Sequence, residues 1–322
     1  MQSKIELLDV DLLQDSQTLK DIDRWLNVMN WPNGWHYDLD IIWLLRHIEE
    51  MKLPKGATIV DAGAGLGMTQ FILASYGYNV ISLDFTDRQI PKYSKKIFAI
   101  NKNDQDLGGY THEYMEFMKY GQNQPATVKK RRSFFSLLTK AIDPRQFNLN
   151  VYRLSTMIKK KINLWYIIET MKDHGSFGKI TFTRGTFNSI PLKDNTADAL
   201  VSVSAFEHNT YEDMPGTVKE FQRVVKNGSP ILVTTSASEN EDWYFKPPKA
   251  WNFSKQTLAK WFAIPDSGIT FNYRKVFENI INSKIMRKRL SPFYTCSGEN
   301  GLPYGNLKEI KYIPVGIVKV KE

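Results

Sequence analysis

Asp61-Ala62-Gly63-Ala64-Gly65-Leu66-Gly67 stands directly behind the apolar run Ala57-Thr58-Ile59-Val60 and directly ahead of Met68 to Tyr76. The run reads as a buried strand ending at Asp61, the glycines as a loop, and the next stretch as a helix closed by Gly77. Glycines at alternate positions let a backbone turn tightly and approach a ligand with no Cβ in the way. The N–H groups opening the helix then suit an anionic group such as a carboxylate. A pyrophosphate-binding loop needs the spacing G-x-G-x-x-G. Here Met68 takes the third glycine's place and Gly67 comes one residue early. The loop therefore points away from a dinucleotide. Asp61 at the strand end orders the loop and favours an ammonium nearby, so the expected ligand carries a carboxylate and an ammonium together.

Outward from the loop, Asn79 to Asp84 reads as a second buried strand, and Asp84 lies 23 residues after Asp61. An acidic residue at that strand end accepts hydrogen bonds from ribose hydroxyls, with Phe85 beside it. Further strands are expected at Lys179–Thr183, Ala199–Ser204, Pro230–Thr235 and Ile313–Val320, with a helix at Thr217–Val225. Strands alternating with helices predict an α/β fold with a doubly wound, mostly parallel sheet. Asp84 and Phe182 are 98 positions apart, whereas a βαβ unit needs only about 30 residues. An insertion is therefore expected over 103–177. Within it Val151, Leu154, Ile158, Ile162, Trp165 and Ile168 recur at helical spacing, predicting a helical insertion that forms a lid or partner surface beside the ligand cleft, whose apolar stripe packs on the core and whose lysines 159–161 face solvent. Residues 1–53 read as an N-terminal helical cap: one helix carries Leu19, Ile22, Trp25, Leu26 and Met29, and a second runs from Asp38 to Met51. The remaining α/β domain comprises 54–102 and 178–322.

Composition narrows the function. The chain has 322 residues, 42% of them hydrophobic, enough for a substantial core. No uncharged apolar stretch of about 18 residues predicts a membrane span, and the acidic N-terminus lacks the pattern of a secretory signal. A single cysteine, Cys296, excludes an internal disulfide and a thiolate metal cluster. A reducing, cytoplasmic setting is the expectation. The net charge of +9 favours anionic partners, although the basic runs 129–132 and 159–161 also suit an ordinary solvated face.

The loop and its acidic partner, Asp84, resemble the class I S-adenosylmethionine methyltransferases, especially those acting on small molecules. The resemblance covers about residues 57–236 apart from the insertion, and implies an antiparallel last strand. It implies S-adenosylmethionine as cofactor, with S-adenosylhomocysteine as product, held by Asp61, Gly63, Ala64, Gly65, Gly67, Asp84 and Phe85. Arg184-Gly185-Thr186-Phe187 resembles the family's adenine-side loop, with Thr186 where an acid is common; Thr186 and Phe187 would meet the adenine. Ser202-Val203-Ser204-Ala205-Phe206-Glu207-His208 resembles the end of its fourth strand, placing Ser204 near the methionine moiety.

Methyl transfer is an in-line displacement in which the protein chiefly aligns nucleophile and methyl. A base is needed when the nucleophile carries a proton. His208, Glu207 and His36 are the candidates, His208 foremost by its place just beyond the fourth strand. Trp35, Tyr37, Trp243 and Tyr244 are candidates for lining the substrate. Exocyclic-amine methylation of bases goes with an Asn/Asp-Pro-Pro-aromatic segment, which Ser202 to Phe206 does not supply. Cytosine C5 methylation needs a core cysteine, and Cys296 lies far beyond it. No carboxylate cluster suggests a metal. The expected substrate is a small molecule or glycan precursor, anionic or hydroxyl-bearing. The alternatives are an RNA- or nucleic-acid-directed methyltransferase, or a non-catalytic cofactor-binding interaction subunit.

Overall fold

The structure is a computed structural model and describes residues 2–29, 34–65, 67–86, 90, 94–103, 147–172, 177–290 and 302–322. Its strands are β1 (Lys4–Leu7), β2 (Thr58–Ala62), β3 (Asn79–Asp84), β4 (Ile100–Asn103), β5 (Ile180–Arg184), β6 (Ala199–Val203), β7 (Pro230–Ala237), β8 (Trp243–Phe245), β9 (Ala250–Asn252), β10 (Ile269–Thr270) and β11 (Ile313–Val320). The helices are α1 (Ser16–Met29), α2 (Tyr37–Glu50), α3 (Thr69–Ser75), α4 (Ser94–Ile97), α5 (Phe147–Lys172), α6 (Met214–Val224), α7 (Lys255–Phe262), α8 (Tyr273–Asn282) and α9 (Lys284–Arg289).

One nine-stranded sheet runs β10-β1-β11-β7-β6-β2-β3-β5-β4, and β8 pairs with β9 in a hairpin. Strands β2 to β7 are mutually parallel, and β11 is antiparallel to β7. This is the expected α/β fold, a doubly wound, mostly parallel sheet with an antiparallel last strand. Central strands are covered on both faces, so they read as apolar runs rather than alternating ones; all eight residues of β7 are buried. From β2 the chain builds outward through β3 and β5, then returns to place β6 on the other side of β2. The crevice between β2 and β6 is thus the switch point where open α/β sheets bind ligands, outside the carboxyl ends of the strands. Registers Ala62 to Leu83 and Asp61 to Val201 bring the ends of β2, β3 and β6 level there.

The N-terminal segment packs onto the sheet through aromatic stacking. Trp25 of α1 stacks with Phe71 of α3 at 5.7 Å and with Phe98 at 6.0 Å. Arg289 of α9 bonds Asp38 of α2 and reaches Asp23 of α1 at 2.7 Å, fastening the C-terminal helices across the cap.

Three expectations need correction. Residues 1–53 are not wholly helical: Lys4–Leu7 is a sheet strand, antiparallel to β11. Four residues are too few to show period-two alternation against the helices that follow. Secondly, Ile100–Asn103 continues the sheet as β4 beside β5. Its polar sequence, Ile-Asn-Lys-Asn, suits an edge strand and hides it from a search for apolar runs. Thirdly, α5 is helical at Phe147–Lys172, but the predicted stripe does not pack on the core. Ile158, Ile162 and Trp165 are exposed, the last by 62%, whereas Ile167 is buried and Leu164 packs inward. The helix leans on α1, where Arg24 lies 4.1 Å above the Tyr166 ring. A helix with apolar residues on more than one face buries the face its neighbour meets. The side chains of Val151 and Ile168, and residues 104–146 of the expected insertion, lie outside the described residues.

Candidate functional site

The glycine loop is held by main-chain geometry and one carboxylate. Gly63 and Ala64 donate N–H bonds to the Leu83 carbonyl at 2.9 and 3.0 Å, pinning the loop against β3. Gly63 has φ +77, and a Cβ there would come 2.5 Å from Ala205 Cβ and 2.8 Å from Phe187 Cζ. Only glycine therefore lets the loop meet both the end of β6 and the segment that carries Phe187. Gly65, at φ +48, donates its N–H to Asp84 Oδ2 at 2.8 Å. Gly67 closes the turn on the Ala64 carbonyl at 2.9 Å. Asp61 is buried at the end of β2, beneath the loop.

Asp84 is itself buried, and its Oδ1 accepts from the Thr86 N–H at 2.9 Å and the Thr86 hydroxyl at 2.7 Å. A carboxylate offers about four acceptor positions, so among the described residues three are filled and one is left for a ligand hydroxyl such as that of a ribose. Binding both hydroxyls, as the sequence suggests, requires Thr86 to release its side-chain bond. Phe85 follows half-buried, its carbonyl taking a 3.4 Å bond from Arg184. Thr186 is exposed and bridges to Ser189. Phe187 is half-buried, edge-on to Phe221 at 5.7 Å, so of these two it is Phe187 that touches the loop. The acceptor at β3 and the space kept free of Cβ atoms fit an amino-acid-bearing nucleoside.

Beyond β6 lies a buried polar cluster. Ser204 adopts φ +45, a left-handed conformation costing a non-glycine residue roughly 1–3 kcal/mol. Its Oγ donates to Asp40 Oδ2 at 3.3 Å, and the same oxygen accepts from His36 Nδ1 at 2.7 Å. His36 and Asp40 are both buried at the start of α2. Rings of Trp35, Tyr37 and Tyr312 surround the imidazole at 4.9–5.6 Å. Asp40 Oδ1 and Ser202 Oγ are buried with no hydrogen-bond partner among the described residues.

Glu207 is also buried, and its Oε2 accepts from the Thr235 hydroxyl at 2.9 Å. Burial pushes its carboxyl above the usual range, against the opposing pull of His208 and His36. His208 is half-buried, and its Nδ1 donates to the Lys249 carbonyl at 3.1 Å, anchoring the turn of the β8–β9 hairpin.

The structure thus brings His36 and Glu207 within electrostatic reach of each other, with Ser204 between the loop and Asp40. Trp35 is buried, donating Nε1–H to the Tyr312 hydroxyl at 3.2 Å; its role there is to wall the imidazole. Tyr37 stands half-buried beside it. Trp243 and Tyr244 lie on the hairpin, Tyr244 46% exposed and 5.2 Å from Trp251. Among the described residues they make no ring contact or hydrogen bond with the loop or His36.

Sequence reasoning missed Asp40, Gln70, Thr86 and Tyr312. The i,i+4 spacing of His36 and Asp40 at a helix start was a usable signal. Buried Gln70 reaches from α3 to the Gly67 carbonyl at 2.9 Å and accepts from Ser82 of β3 at 2.5 Å. It ties the loop to the neighbouring strand. Among the described residues no group of His, Cys, Asp and Glu could hold a metal, and no helix is long and apolar enough to cross a membrane.

The methyltransferase-domain family model matches residues 165–233. Solved structures similar to the chain include the geranyl diphosphate C-methyltransferase of Streptomyces coelicolor A3(2), in complex with Mg2+, geranyl diphosphate and S-adenosyl-L-homocysteine. The identity is 11%, covering 100% of this chain and 91% of that one, with a TM-score of 0.45. Phosphoethanolamine N-methyltransferase 2 of Haemonchus contortus, in complex with phosphomonomethylethanolamine and S-adenosylhomocysteine, is 13% identical, over 97% of this chain and 59% of that one, with a TM-score of 0.45. An S-adenosylmethionine-dependent methyltransferase of Methanosarcina mazei is 12% identical, over 85% and 98%, with a TM-score of 0.38. No curated protein matches the sequence.

Proposed function

We propose that this chain is a class I S-adenosylmethionine-dependent methyltransferase, in keeping with the methyltransferase-domain match, and that it methylates a proton-bearing oxygen or nitrogen of a small molecule or glycan precursor. The observation that carries the reading is the buried acid–imidazole cluster immediately past β6, joined to the glycine loop through Ala205 and Ser204. S-adenosylmethionine, when bound, supplies a methyl already activated by the sulfonium. The chain's own residues have two remaining tasks: to hold the cofactor and to take a proton from the acceptor.

Gly63, Ala64, Gly65 and Gly67 form the cradle over Asp61, Asp84 faces the ribose, and Phe187 and Thr186 border the adenine. His36 and His208 are the candidate bases. Each directs its Nδ1 toward an oxygen acceptor, Asp40 for one and the Lys249 carbonyl for the other, a second bond of the kind that sets an imidazole's tautomer. Glu207, buried and biased toward its neutral form, suits a hydrogen-bonding role. Trp35 and Tyr37 border the acceptor side, and Trp243 and Tyr244 would reach it only with a larger ligand.

The test is transfer of labelled methyl from S-adenosylmethionine, offered in parallel to a metabolite extract and to total RNA at about 0.15 M salt, where surface charge is partly screened. Label in the small-molecule fraction is expected. Label confined to RNA would overturn the substrate class and promote the nucleic-acid reading.

A further inference from the structure

We propose that Asp40 is a positioning residue that holds His36 in its Nδ1–H tautomer and so makes Nε2 the atom that accepts the proton during methyl transfer. The inference rests on the methyl-transfer reading above and deepens it. A carboxylate oxygen only accepts hydrogen bonds, so a neutral imidazole 2.7 Å away through Nδ1 must carry its single proton on that nitrogen. Nε2 is then left with a lone pair. The Asp40 oxygen is fully buried and accepts a second bond, from Ser204 Oγ at 3.3 Å. That serine sits in a strained left-handed conformation at the end of β6.

Four steps connect the imidazole to the cofactor cradle. His36 bonds Asp40, Asp40 bonds Ser204, Ser204 adjoins Ala205, and Ala205 packs against Gly63 where no Cβ fits. The tilt of the ring is fixed by Trp35 and Tyr312, which bond each other at 3.2 Å. A pair that merely capped α2 would need none of these connections to β6. In the reaction, the acceptor's O–H or N–H proton passes to Nε2 as the acceptor's lone pair forms a bond to the methyl carbon. The C–S bonding pair stays on sulfur, and the imidazolium later returns its proton to solvent.

The decisive experiment is nitrogen NMR of 15N-histidine-labelled protein saturated with S-adenosylhomocysteine, at alkaline pH, with His36→Gln identifying the resonances. Wild type is expected to carry the proton on Nδ1. In Asp40→Asn the amide can donate to Nδ1, and the Nε2–H form is expected to become the major one, with S-adenosylhomocysteine affinity within about twofold of wild type. Once labelled-methyl transfer has identified an acceptor, that variant should lose roughly 100- to 10,000-fold in kcat, the usual contribution of general-base catalysis. A wild-type ring protonated on Nε2 would overturn the proposal, and so would an Asp40→Asn ring that keeps the wild-type tautomer. A tenfold or greater loss of S-adenosylhomocysteine affinity in Asp40→Asn would instead assign the pair to the cofactor pocket, against the proposal. Should that variant fail to fold, the wild-type tautomer decides alone. A wild type that binds no S-adenosylhomocysteine overturns the methyl-transfer reading itself, an outcome distinct from the rest.

Discussion

Asp84 takes three hydrogen bonds from Gly65 and Thr86, so it orders the loop as well as standing at the proposed ribose side. Asp84→Ala should therefore weaken S-adenosylhomocysteine binding by about 1.5–3 kcal/mol, the range for bonds to a charged group. In calorimetry that is roughly a 10- to 150-fold rise in Kd; an unchanged Kd would remove Asp84 from the site. Gly65→Val should be worse, because a β-branched side chain at φ +48 is strained before any ligand binds. Glu207 gives a pH prediction. Its folded carboxyl titrates above the unfolded one, so the native state holds the extra proton and stability falls as pH rises between the two values. Glu207→Gln should flatten that slope, gaining on wild type in thermal unfolding as pH rises above the ordinary glutamate range. Parallel curves for the two proteins would contradict it. Asp61, Gly63, Gly65 and Asp84 were legible because motif spacing along one strand–loop–helix unit encodes them. Asp40 was legible only as an i,i+4 neighbour of His36, because its burial against Ser204, far away in sequence, leaves no local mark.

The loop is positioned from α3 as much as from its own glycines. Gln70→Leu would remove the bonds to Gly67 and Ser82 inside a buried region. A loss of about 1–3 kcal/mol in denaturant unfolding is expected, with weaker S-adenosylhomocysteine binding; an unaltered Kd would show that the loop needs no such tether. On α5 the prediction contrasts two faces. Ile162→Lys, on the exposed face, should change stability by no more than about 0.5 kcal/mol. Ile167→Ala, on the buried face, should cost about 2–5 kcal/mol. Equal effects would mean the helix is seated differently. Strands β2, β3, β5, β6, β7 and β11 could be read from sequence because each is an apolar run or, in β5, an apolar alternation between turn signals. Strands β1, β4 and β10 could not: they are two to four residues long and earn their conformation from partners rather than propensity.

Across the whole molecule, the sheet order sets the switch point between β2 and β6, and the glycine loop, Asp84 and the Ser204–Asp40–His36 cluster gather there, whereas Trp243 and Tyr244 do not. The glycine loop leaves β2, Asp84 ends β3, Ser204 ends β6, and α2 brings His36 and Asp40 over the same crevice. Net charge of +9 raises the local concentration of anionic solutes without selecting among them. The proposed selectivity lies in the cradle, whose loop departs from dinucleotide spacing at Gly67 and Met68. Calorimetric titration of the chain with S-adenosylhomocysteine, and in parallel with NAD, tests that claim most directly. The account predicts saturable binding of S-adenosylhomocysteine at one site per chain and no heat from NAD; binding of NAD with no response to S-adenosylhomocysteine would contradict it.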